Sequence, residues 1–361
     1  MTAVAVLAWD LMPEKPVVAA TAPHAAAKPV PVSASSRAQP PAPGSPAIAG
    51  KAVNFLRPVA VSLVTVSPLA REFGSAATYQ ALYERLKGSA EGETPEGQYF
   101  QYRILRACAT LAEGRTGARP RAPNAALLDE RRQLIAASLP EGDPRLAQRL
   151  AAFDKATADP CVGLSAITVT EAELSQLMKN ALAGGDPKAR AWQVEQDMWR
   201  ERRTASTPGR AGPTLSDTQI ASLQDAFNSR DPEAVVIAGR TLASSFRDLA
   251  VRVGPDREVI ESSAFRDAAL LLACEYGYAC GENNSRVLNA CAFQGRCGVA
   301  SLPDYLFYYE ASPYDAQLVD RYRTMLRQAA DTGDWSAITI ERGNRSPNSP
   351  SFRLGGRPIG R

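Results

Sequence analysis

The sequence predicts a mainly helical, all-α fold: an irregular or repeat-like stack of α/α hairpins with at most one or two short strands. Three observations predict it. Apolar residues recur at helical spacing along most of residues 75–340. A helix-start signal returns as Asp143-Pro144, Asp186-Pro187 and Asp231-Pro232, 43 and 45 residues apart. Sequence with a strand period is scarce.

The bulk numbers fit a soluble globular chain. Its 361 residues are 45% hydrophobic and 22% charged, ordinary values for such a chain. A net charge of +3 gives no strong field toward nucleic acid or a membrane surface. Lysine occurs only at 15, 28, 51, 87, 155, 179 and 188, which leaves 34 of the 41 basic residues as arginine. The one histidine, His24, lies in a Pro/Ala-rich stretch. Ser-His-Asp and Cys-His chemistry needs an imidazole in a packed pocket, and most catalytic zinc sites need two or three. Carboxylate or arginine mechanisms remain open.

Residues 1–12 open with an apolar run, "MTAVAVLAWDLM". It is far short of the roughly 20 residues that span a bilayer, and it lacks a basic leader. Two readings compete: the end of a longer membrane anchor or signal, which we favour, and a disordered cytosolic amino end. Residues 13–58 favour the first. They are largely Pro, Ala and Ser, too poor in large apolar groups to fold. Such a segment is an extended spacer, its Pro/Ala-rich residues 13–50 reaching on the order of 100 Å at about 3.1 Å per residue.

The body is expected over 59–340, with helical hairpins over 75–250 and a Cys-stapled helical part over 251–340. "SAATYQALYERLKG" (75–88) reads as one helix. Residues 94–114 read as a second, with Thr94 as cap and Pro95 at the first helical position. A third covers 124–139. At each Asp-Pro the aspartate oxygen takes an orphan helix N–H, and proline lacks the N–H that would be wasted there. "TGDWSAI" (332–338) reads as a degenerate fourth copy. Thr170-x-x-Glu173 and Ser216-x-x-Gln219 are capping boxes. The strand candidates are "VAVSLVTVS" (59–67) and "AITI" (337–340), which would pair with each other.

The turn "ALAGGDPKARAW" and its Ala-rich helices resemble Sel1-type and tetratricopeptide-type helical repeats. The layout over about 75–340 resembles proteobacterial cell-envelope proteins that join such helices to a Cys-rich carboxy-terminal segment. The Sel1 Ala-x-x-x-Leu-Gly pattern is not matched, and no site residue carries over.

Cys108, Cys161, Cys274, Cys280, Cys291 and Cys297 are the six cysteines. The last four form Ala-Cys-x5-Cys-Gly twice. That gap is wider than the Cys-x2–4-Cys of structural zinc, and no Cys-x-x-Cys redox motif occurs. Disulfides are the favoured reading. On one helix Cys274 and Cys280 would stand about 9 Å apart, beyond the roughly 4.4–6.8 Å a disulfide allows. A helix must therefore end inside each gap, where Gly277 and Gly295 suit the left-handed position. The rival pairing, Cys274–Cys291 with Cys280–Cys297, closes 18-residue loops worth about 3.2 kcal/mol, against about 2.4 for the local pairs. That difference is too small to decide, and we lean to the local pairs. Cys108–Cys161 follows by elimination, closing a loop worth about 4 kcal/mol. An even cysteine count in a tethered chain fits an oxidising compartment.

The aromatic stretch 301–317 offers Tyr305, Tyr308, Tyr309 and Tyr314 as a binding surface, among Asp304, Glu310 and Asp315. It could stack on sugars or bind a peptide, with Glu310 and one aspartate as the weak candidates for a glycosidase carboxylate pair. Packing of Tyr305, Phe307 and Tyr308 on the stapled helices is the simpler reading. The tail 341–361, with five arginines, reads as solvated and disordered. No phosphate loop or nucleophile elbow is present.

These readings imply no cofactor and no metal. They point to a non-enzymatic periplasmic scaffold or binding module tethered at the inner membrane, with an envelope protein as partner. Peptidoglycan is a second partner candidate. Nucleic acid is excluded, and the membrane is met only through the amino-terminal anchor. The alternative is a glycosidase-type cell-wall enzyme using 301–317.

Overall fold

Each of the three Asp-Pro pairs starts a helix, and each is the second helix of a hairpin. The computed structural model describes residues 67–112, 125–140, 142–204, 213–246 and 248–342. The hairpins are α4 (Ala125–Ala137) with α5 (Pro144–Ala156), α6 (Glu171–Ala183) with α7 (Pro187–Thr204), and α8 (Asp217–Asn228) with α9 (Pro232–Leu242). Asp143 accepts the N–H of Arg145 at 2.9 Å, Asp186 that of Ala189 at 2.8 Å and Asp231 that of Ala234 at 2.9 Å. Thr170 with Glu173 and Ser216 with Gln219 close both capping boxes.

The hairpins do not form one continuous stack. α7 packs on both α8 and α9, while α5 packs on α11 (Ser285–Gln294). A small second core, built on Ile135, Ala152, Phe153, Cys291 and Ala292, lies under the α4–α5 hairpin. The main core runs from α3 (Pro95–Cys108) through α9, α10 (Ser262–Glu275) and α13 (Pro313–Thr332). Trp335 is fully buried there against Phe227, and its indole N–H donates to Asn228 at 3.0 Å.

Several boundaries differ from the sequence reading. The stretch 75–88 is not one helix: α1 (Pro68–Ser75) comes first, capped by Ser67, and α2 (Gln80–Leu86) follows. α3 starts at the expected cap, Thr94, but stops at Cys108. There the chain turns extended, and β1 (Thr110–Leu111) pairs in parallel with β2 (Thr168–Val169). The Cys108–Cys161 disulfide fixes that crossing. The fourth Asp-Pro-like copy starts no helix. Asp334 accepts the N–H of Ser336 in a turn that leads into β5 (Ile338–Arg342).

Five short strands occur among the described residues, where one or two were expected. β5 is the strand suspected at 337–340, but its partner is β3 (Leu249–Val253), with Val251 opposite Ile340. β4 (Glu258–Val259) completes the order β4-β3-β5. The expected partner at 59–67 lies almost wholly outside the described residues, as do the anchor 1–12, the spacer 13–58 and positions 343–361. Arg342, assigned to the solvated tail, belongs to β5 instead: it pairs with Asp248 at 3.0 Å and donates to the Leu215 carbonyl at 2.7 Å. No helix among the described residues is long and apolar enough to cross a membrane.

The six cysteines form Cys108–Cys161, Cys274–Cys280 and Cys291–Cys297, with none free. α10 ends at Glu275, and Gly277 takes φ 95°; α11 ends at Gln294, and its cap Gly295 takes φ 71°. Each glycine lets the chain fold back, bringing Cys274 and Cys280 to a Cα separation of 5.6 Å. Three disulfides and no free thiol fit an oxidising, extracytoplasmic compartment.

Candidate functional site

The tyrosine stretch sits where α11 ends. Gly295 and the Cys291–Cys297 bond reverse the chain into a short helix, α12 (Leu302–Tyr305), capped by Ser301. A π turn follows at Leu306–Glu310, closed by the Ala311 N–H donating to the Leu306 carbonyl at 2.8 Å. A π turn shifts side-chain register within one helical run. Tyr305 and Leu306 point into the core, while Tyr308 and Tyr309 face solvent.

The predicted residues therefore divide. Tyr305 is buried at 7% exposure, as the packing reading had it, but Tyr308 is 77% exposed and is not core. Tyr309 is half exposed, with the Arg296 guanidinium 5.0 Å from its ring centre. Tyr314 is exposed at the start of α13, beside a cleft of about 480 Å³ lined also by Glu258, Val259, Gln317 and Arg321.

The three candidate carboxylates hold structural partners. Asp304 accepts from the Ser301 hydroxyl at 2.6 Å. Asp315 closes a capping box with Ser312, accepting its hydroxyl at 2.6 Å and its N–H at 3.3 Å. Glu310 pairs with Arg286 at 2.7 Å, and Arg286 also holds Asp267 at 3.1 Å.

A second constellation was missed by the sequence reading. The starts of α3, α7 and α9 converge on Lys188, which is 2% exposed. Its ammonium lies 2.9 Å from Asp231, 3.0 Å from Glu96 and 3.1 Å from Asp186. The rings of Phe100 and Tyr99 stand 5.4 and 5.8 Å from it. Burial by itself opposes the Lys188 charge, but the carboxylates of Asp231, Asp186 and Glu96 outweigh it and hold the ammonium far above its ordinary range. Burial also pushes the Asp186 carboxyl up to about 6, against the pull of Lys188. A cleft of about 510 Å³, lined by Ser67, Thr94, Glu96, Gly184 and Asp186, opens beside the cluster.

Next to it, the Tyr99 hydroxyl donates to Glu233 at 2.9 Å, and Arg103 pairs with Glu233 while stacking 4.2 Å from the Trp192 ring centre. Arg240 grips the buried Glu195 with two bonds of 2.6 and 2.7 Å. The signal for Lys188 was present in "GGDPKAR": a rare lysine two residues after an N-cap aspartate, on a helix whose buried face it shares with Trp192.

No protein-family model, curated protein or solved structure matches this chain.

Proposed function

We propose that this chain is a non-enzymatic scaffold or binding module of the bacterial cell envelope. It works in the periplasm, is held at the inner membrane through its amino-terminal segment, and meets an envelope protein through the face bearing Tyr308, Tyr309 and Tyr314. One observation carries the reading: in 301–317 the carboxyl groups are taken up by caps and an ion pair while three tyrosines face solvent. Tyrosine offers large, rigid contact area with a polar tip, and it is enriched at interfaces. The disulfides support the compartment. The hairpins, which resemble Sel1-type and tetratricopeptide-type units, support a protein partner.

Photo-crosslinking from position 308 in the periplasm tests it. A discrete protein adduct is expected. Adducts with peptidoglycan fragments alone would overturn the protein-partner reading. The competing reading, a carboxylate-dependent cell-wall enzyme, requires that purified protein release glycan fragments and that Glu310→Gln abolish the release.

A further inference from the structure

Among the described residues every ion pair uses arginine except the three made by Lys188. The most enclosed cation of an arginine-dominated chain is therefore a lysine, held as the ammonium by its three carboxylates; unlike arginine, it becomes a nucleophile once a proton is moved off it. Its surroundings have the parts such a step needs. Nζ lies 2.9 Å from Oδ2 of Asp231. The other oxygen, Oδ1, accepts the cap N–H of Ala234. The oxygen facing the amine is thus distinct from the one that holds the helix. Asp186 presents Oδ2 to Nζ at 3.1 Å, and its carboxyl, pushed up to about 6 by burial, exchanges protons near neutral pH. Glu96, partly exposed, connects the cluster to the open cleft. Phe100 and Tyr99 close the other side.

We propose that Lys188 and Asp231 condense within the folded protein into an intramolecular amide joining Nζ to Cγ. The ammonium is the resting form, and the amine arises by proton transfer to the Asp186 carboxylate. Asp186 passes the first proton to Oδ2 of Asp231, Nζ attacks the neutralised carboxyl at Cγ and the N–C bond forms, and a second proton leaves Nζ for the same oxygen. The Cγ–Oδ2 bond breaks and water departs past Glu96. One ammonium and one carboxylate become one amide and one water, with no oxidant or co-reactant. Oδ1 remains as the amide carbonyl and keeps the cap of α9. The product ties the first turn of α7 to the start of α9, independently of any partner of the tyrosine face.

The test is peptide mapping of the full purified chain after reduction and denaturation. Trypsin should yield residues 180–190 joined to residues 231–240, one water lighter than the two peptides together, with no cleavage after Lys188. Recovery of residues 180–188 and 231–240 as free peptides, with Lys188 cleaved, overturns the proposal. Asp231→Ser, which keeps a capping oxygen, should give no joined peptide. Asp186→Asn keeps the Ala189 cap and should slow joining by about 100-fold, the scale of a lost general acid–base. Undiminished joining in either variant overturns the assigned roles. The wild-type map decides the main point even where a variant fails to fold.

Discussion

Lys188 Nζ stands 2.9 Å from Oδ2 of Asp231, so one buried charge ties the first turn of α7 to the cap of α9. Glu96 and Asp186 meet the same ammonium. Lys188→Met would leave three carboxylates in an enclosed site without a cation. Breaking a buried pair from one side costs about 3–5 kcal/mol. A urea titration of the variant should show a loss of that order; a loss under about 1 kcal/mol would mean that water enters the junction freely.

Asp186 gives a pH dependence of definite sign. Its carboxyl sits at about 6 when folded, against an ordinary 3.8. The folded state therefore binds this proton more tightly than the unfolded state. Its stabilising effect is complete below the ordinary value and is lost as pH rises through about 6. The gap in stability between Asp186→Asn and wild type should widen by about 1–3 kcal/mol from about pH 5 to about pH 7.5, with the wild type falling. A flat difference over that window would place the carboxyl at its ordinary value.

Removing single disulfides should rank them by loop length. Replacing Cys108 and Cys161 by serine is expected to cost about 4 kcal/mol, against about 2.4 for either local pair. Denaturation midpoints of the three double variants check the order. Six free thiols by mass spectrometry in natively purified protein would contradict the pairing and the compartment together.

At Gly239, α9 lies close against α10. A Cβ added there would lie 2.1 Å from Cβ of Ala269. Gly239→Ala should destabilise by about 1–3 kcal/mol through overpacking. Ala269→Gly in the same chain should recover part of that loss, which a purely conformational effect at residue 239 would not allow.

Tyr308→Ser and Tyr314→Ser should each change stability by less than about 0.5 kcal/mol, since both side chains face solvent. With the photo-crosslinker moved to position 309, the partner adduct should nevertheless be lost. A large drop in thermal midpoint would reveal packing of these rings against something else in the chain.

The sequence made local structure legible where one short motif states its own physics. Asp143, Asp186 and Asp231 announce helix starts. Ala-Cys-x5-Cys-Gly announces a helix end, because the two sulfurs cannot meet across an unbroken helix. The Lys188 cluster was harder to read: "GGDPKAR" marks the lysine, but its partners lie at 96, 186 and 231, and each aspartate already had a sufficient reason as a cap. One oxygen of each serves the cap, while the other reaches the ammonium. β3 was missed for a similar reason. "LAVRV" alternates but is only five residues long, and its partner stands near residue 340. The exposure of Tyr308 depended on the π turn, which no composition signals.

The Cys108–Cys161 bond also governs what a protease would leave behind. It closes the chain around everything between those two residues, the α4–α5 hairpin included. A single cut inside that ring opens the loop and releases nothing. The nicked molecule would run at full size on a gel without reductant and as two fragments with it.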